Sequence, residues 1–265
     1  MGLFNRNFDR PGPGVSKDAP RKKGAARFFE LLGRDFGSFF KANFLCVAGF
    51  VPWALLTGIG VVGQSMPFTL VGGLLGGVIA APALAGMQDT VLRALRDEPG
   101  YWWHVYKKAF RNNWRASLVP GAIMGLLTAM QLFMVWAVFV GGVTLDLVSS
   151  VLMCLNVLLT GMCLPFVFGQ LVLMDLPLAQ LLKNSLFLAL ANVLWAVALA
   201  LVQLVYWLAM LFLFPLSLPW VLLVGFIPVT MICQMVVFRI LDKAFDLEAQ
   251  FVRRREEQLQ SETDQ

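Results

Sequence analysis

From Phe44 to Phe238 the chain is apolar almost without interruption, and the few polar positions divide it into runs near 43–62, 67–88, 117–141, 147–173, 185–212 and 219–238. A bilayer is crossed by about 20 residues of helix, so each run is long enough to span. In hydrocarbon the backbone must satisfy its own hydrogen bonds, and the alternation of polar and apolar residues that marks a membrane barrel is absent. The pattern therefore predicts an all-α polytopic membrane bundle of six transmembrane helices. The turns at 63–67, 141–146 and 214–219 are too short for external domains, which pairs the spans into three hairpins.

The flanks read differently. Residues 1–24 hold Pro11, Pro13, Pro20 and mixed charge, cannot build a core, and are expected to form a disordered cytoplasmic tail. The first apolar span begins only near residue 43, so no signal peptide is read. Arg6 stands where a myristoylation start requires Ser or Thr. Residues 25–42 place Phe28, Phe29, Leu31, Leu32, Phe36, Phe39 and Phe40 at helical spacing among Arg27, Glu30, Arg34, Asp35 and Lys41, which predicts an interfacial amphipathic helix. The six-helix domain is then 43–238, with an inner loop over 89–116. Residues 239–265 read as a cytoplasmic amphipathic tail.

Composition agrees: 58% hydrophobic and 14% charged residues, with a mean hydropathy of +0.73, exclude a soluble globular protein. All 21 Lys and Arg residues lie before Asn43, between Arg93 and Arg115, at Lys183, or from Arg239 onward. The outer turns carry none. That one-sidedness predicts a multi-pass protein of the cell membrane with both termini cytoplasmic. The net charge of +5 suits the lipid bilayer and its anionic headgroups as partners. Nucleic acid is excluded, because the chain has no room for a folded basic domain.

Candidate chemistry is sparse. Cys46, Cys154, Cys163 and Cys233 fall inside spans without metal-ligand spacing and read as small core residues. No metal and no cofactor is expected, and no catalytic residue is assigned. Asp35-Phe36-Gly37 spells a kinase triplet without any of its companions. Trp102, Trp103, His104, Lys107, Lys108, Arg111 and Arg115 form a membrane-interface set on the inner loop. Asp89 and Asp175, at span ends, are expected in salt bridges. Gln131, Asn156, Asn192 and Gln203 are expected to hydrogen-bond between helices, and Gly72, Gly73, Gly76 and Gly77 to admit a neighbouring backbone. Pro52 and Pro82 are expected to bend their helices.

The hairpins resemble one another. Each starts with a basic residue and an asparagine (Lys41 and Asn43, Arg111 and Asn113, Lys183 and Asn184), and each ends with a proline followed by a glutamine (Pro82 and Gln88, Pro165 and Gln170, Pro228 and Gln234). A threefold repeat follows. The plain reading is that these amides cap or snorkel at the interface. The sharper one is a candidate polar cluster of Asn43, Gln88, Asn113, Gln170, Asn184 and Gln234 at the inner mouth.

The sequence over 77–87, with Arg96-Asp97-Glu98-Pro99, Trp103, Tyr106 and 109–114, resembles the YesL-like family of bacterial integral membrane proteins, centred on residues 40–120. The resemblance implies a small multi-span protein of the cell membrane, without an established activity, as an accessory to carbohydrate uptake and so a partner of a membrane transport complex. Three function classes follow: a non-enzymatic accessory or scaffold protein, a transporter or channel for an uncharged polar solute, and an interfacial lipid-modifying enzyme around His104 and Asp97.

Overall fold

The computed structural model describes residues 21–98, 100–251 and 253. Most of the expected amino-terminal tail and residues 254–265 of the carboxy-terminal one lie outside that range. Among the described residues there are helices and no strand: α1 (Gly24–Val62), α2 (Met66–Leu95), α3 (Trp102–Phe139), α4 (Leu147–Leu173), α5 (Leu178–Ala191), α6 (Val193–Phe212), α7 (Leu218–Val224) and α8 (Phe226–Phe245). The chain is an all-α polytopic bundle. Five helices are long and apolar enough to cross a membrane, and α7 with α8, bent by 52°, make up to six.

Three boundaries differ from the sequence reading, each for a local reason. The expected interfacial helix over 25–42 and the first span are one continuous helix of 39 residues, because no Pro or Gly pair separates them and the apolar period runs through. The inner loop over 89–116 is mostly helix: α2 continues to Leu95 and α3 begins at Trp102. What remains between them is a tight turn in which Asp97 takes the left-handed conformation, φ 55°. The fifth span is broken at Asn192, whose amide turns back to the Leu188 carbonyl at 3.1 Å. Pro52, Pro82, Pro120 and Pro165 all sit inside helices that run on through them, and the break in the last span falls at Gly225 instead.

The bundle is organised around α2, whose apolar stretch is 61% buried where those of the other spans are 17 to 33%. Its glycines explain how. A Cβ on Gly72 or Gly76 would meet Leu56 and Trp53 of α1, whereas one on Gly73 or Gly77 would meet Gly125 and Gly121 of α3. The two overlapping pairs therefore serve two different neighbours, one on each side. Without side chains at these points the backbones approach closely, which is how helices gain dispersion and weak hydrogen bonding where lipid supplies no hydrophobic drive. Trp53 closes the triangle by donating its indole N–H to the Gly125 carbonyl at 3.1 Å. Farther round, Gly161 of α4 fits against Ala200 of α6. The outward faces carry exposed Leu55, Ile59, Leu152, Leu194 and Val205, an apolar surface of the kind lipid covers.

Candidate functional site

At the charged end of the bundle, the left-handed turn at Asp97 aims its carboxylate at α1. Arg27 donates to it at 2.8 Å, Arg21 at 2.9 Å, and Arg34 also contributes. The same arginines reach the last carbonyls of α2: Arg27 bonds Leu95 O at 3.2 Å and Arg34 bonds Ala94 O at 2.9 Å. They cap a helix C-terminus, where the dipole favours positive charge. Partial burial disfavours the Asp97 carboxylate, but hydrogen bonds from Arg34 and Arg27 outweigh it and hold its pKa below the ordinary value. Arg93 adds pairs with Asp89 and Glu98 at 2.8 and 2.7 Å, and Arg21 ties the network to Glu248 beyond α8.

α3 spends its positive charge otherwise. Residues 103, 110 and 114 share one stripe of a helix, 104, 108, 111 and 115 the next, and 102, 106, 109 and 113 the far side. The far side is packed inward: Tyr106 and Ala109 are buried, and the Trp102 ring lies 5.2 Å from that of Tyr106, with the Lys41 ammonium 5.6 Å from the Trp102 ring. Trp103, Phe110 and Trp114 are exposed, as are His104, Lys107, Lys108, Arg111 and Arg115. None of the two lysines and two arginines has a carboxylate partner among the described residues. An aromatic stripe beside an unpaired basic stripe is the side-chain order of an interfacial helix.

The amides of the repeat are divided among several interfaces, and no hydrogen bond joins any two of the six among the described residues. Asn43 bridges the break of the last span, donating to Leu222 O at 3.0 Å and accepting the Phe226 N–H at 2.8 Å. Gln170 donates to Ser185 of α5 at 2.9 Å. Gln234 of α8 donates to the carbonyl of Pro165, the repeat proline of α4, at 3.2 Å. Gln88 is buried, and Asn113 and Asn184 are partly exposed. The carboxamide oxygens of Gln88, Gln170 and Gln234 are buried without a protein partner.

Of the polar residues expected between helices, Gln131 reaches Asn156 and Gln203 reaches Gly161 O at 2.8 Å. Among the described residues the Asn192 side chain bonds only Leu188 O of the adjoining α5, not a neighbouring helix. Asp89 is paired, but Asp175 is exposed with no ion pair among the described residues. Cys46 and Cys233 are core residues, Cys163 is half-buried, and Cys154 is exposed on the outer face of α4. Asp146, read only as an outer charge, caps α4 by accepting the Ser149 N–H at 3.3 Å. The Asp97 network was missed by sequence reasoning. Its available signal was a positive-φ-tolerant Asp just past a helix end, with unassigned arginines at 27 and 34 on one helical face.

Residues 65–135, which span α2 and nearly all of α3, match the model of a family described as "Protein of unknown function, DUF624". No curated protein and no solved structure matches the chain.

Proposed function

We propose that the chain is a non-enzymatic accessory or scaffold protein of the bacterial cell membrane, of the YesL-like kind, with both termini in the cytoplasm. Its working surface is the basic and aromatic face of α3, which meets anionic lipid headgroups and a membrane transport complex for carbohydrate uptake. One observation carries this reading: arginines 21, 27, 34, 93 and 96 are neutralised within the molecule, whereas Lys107, Lys108, Arg111 and Arg115 have no carboxylate partner among the described residues. Charge left unpaired beside exposed Trp103 and Trp114 is available to a partner, at about 1 kcal/mol of attraction per basic residue near an anionic surface. The test is recovery of transport subunits from membranes in a mild detergent with wild type and with K107Q/K108Q/R111Q/R115Q. Loss of those subunits by a variant that still folds supports the reading. Recovery of the same set from both would sink it.

A second reading, passage of an uncharged polar solute, is favoured by the three buried carboxamide oxygens of Gln88, Gln170 and Gln234 that lack protein donors, and solute flux in proteoliposomes tests it. A lipid-modifying site at His104 and Asp97 has less support, because Asp97 is already held by three guanidinium groups.

A further inference from the structure

Where α1 begins and α8 ends, a cleft of ≈ 140 Å³ opens at the charged end of the bundle. Its apolar side is formed by Met235 and Phe238. Four cations line it, Arg21, Lys22, Arg27 and Arg239, against two carboxylates, Asp242 and Glu248. Both carboxylates are hydrogen-bonded within the cleft wall. Glu248 accepts a hydrogen bond from Arg21, and Asp242 accepts the backbone N–H of Glu248 at 2.8 Å. Arg27, only 6% exposed, is fixed by Asp97 and Glu30. Lys22 and Arg239 are left without an acidic partner among the described residues.

We propose that this cleft binds a phosphate-bearing anion between Lys22 and Arg239. Ion pairs hold Arg21 and Arg27 in the wall, whereas Lys22 and Arg239 are exposed and become ordered on the ligand, which costs part of the binding energy. A guanidinium offers a planar pair of donors that matches a phosphate, and an ammonium adds a compact charge. The cleft holds several water molecules, room for one phosphate group, and its outer side is open, so a substituent on the phosphate extends into solvent. Phosphate of this size comes either from a soluble phosphomonoester or from a phospholipid headgroup. The site shares no residue with α3, so it stands or falls apart from the proposed scaffold role.

The experiment is thermal unfolding of the full chain in two series. In neutral detergent, inorganic phosphate is titrated against chloride at constant ionic strength. In phosphatidylcholine nanodiscs, the content of phosphatidic acid is raised. A saturable rise in Tm in the first series identifies the soluble source, and a rise confined to the second series and lost in K22Q/R239Q identifies the headgroup. In K22Q/R239Q the half-saturating concentration should increase about tenfold for each charge-assisted hydrogen bond removed, while K22R/R239K keeps the response and K183Q, at an exposed lysine of α5 outside the cleft, leaves it unchanged. Because Lys22 and Arg239 are exposed and without an ion pair among the described residues, these changes leave the fold intact. No saturable response in either series, or a wild-type response from K22Q/R239Q, overturns the proposal.

Discussion

The carboxamide of Asn43 accepts the backbone N–H of Phe226 at 2.8 Å, across 183 positions of sequence. Its amide simultaneously donates to Val221 O and Leu222 O. One side chain from the first hairpin thus satisfies both sides of the 52° break between α7 and α8. Tyr206 completes the repair by donating its hydroxyl to Gly225 O at 2.6 Å. A broken span is tolerated in a bilayer only where neighbouring helices re-satisfy the freed backbone groups.

Asn43→Leu should therefore destabilise the protein by about 2 to 3 kcal/mol, from an orphaned Phe226 N–H and a Leu222 carbonyl deprived of its donor, while Val221 O keeps the Gly225 N–H. Asn43→Asp keeps the acceptor but sets a buried carboxylate against the Val221 and Leu222 carbonyl oxygens, so it should be at least as destabilising as Asn43→Leu at neutral pH. Chemical unfolding in detergent reads both. An unchanged midpoint for Asn43→Leu would mean that the break is satisfied without it.

Gly77→Leu should collapse folded yield, because its side chain would enter the backbone of Gly121 and Gly125. Gly73→Leu should act likewise through Gly125 and Ala129. Overpacking of this kind costs about 1 to 3 kcal/mol or more. Gly58→Ala, which meets nothing within 4 Å, should instead be neutral or stabilising by about 0.5 to 1 kcal/mol. Size-exclusion profiles and Tm values of the three variants separate a packing seam from a lipid-facing stripe.

Asp97→Asn should weaken the network at neutral pH by about 1 to 3 kcal/mol, since Asn tolerates the left-handed turn but removes the anion that three guanidinium groups share, leaving each with one other carboxylate. The pH dependence has a definite sign. A carboxylate whose folded pKa is depressed contributes stability that is complete above its unfolded pKa, about 3.9, and lost as pH falls through the lower folded value. Wild type should thus show no Asp97-linked change between about pH 5 and 8 and should lose the difference from Asp97→Asn only in acid. Unfolding curves of both proteins across pH 3 to 8 check it.

Cysteines placed at Gln64, Thr144 and Leu216, in a background lacking Cys46, Cys154, Cys163 and Cys233, should react with an impermeant thiol reagent applied outside sealed cells. Ones at Ser16 and Ser261 should not. Leu216 is used because it is 82% exposed, whereas neighbouring Ser217 is buried with its hydroxyl donated to Met210 O. Labelling of the tails instead of the turns would invert the proposed orientation.

What the sequence determined by itself is what local chemistry decides. Apolar runs of bilayer length have to be helices, whatever their neighbours, because their backbone groups must bond within the segment. The glycines at 72, 73, 76 and 77 announced close packing for the same local reason, since a missing side chain is a property of one helix. Where the readings failed, the deciding energies were nonlocal. The order of residues offers an Asp past a helix end and arginines 27 and 34 on one face but not their meeting, nor that Asn43 reaches Phe226 while Gln170 turns to Ser185. A polar side chain in a bundle takes whichever donor or acceptor the packing brings within about 3 Å, and that is fixed by how α1, α4 and α8 cross. The repeated Asn and Gln positions were legible in the sequence, but their distribution over separate interfaces was settled only when the glycine seams had set the helices side by side.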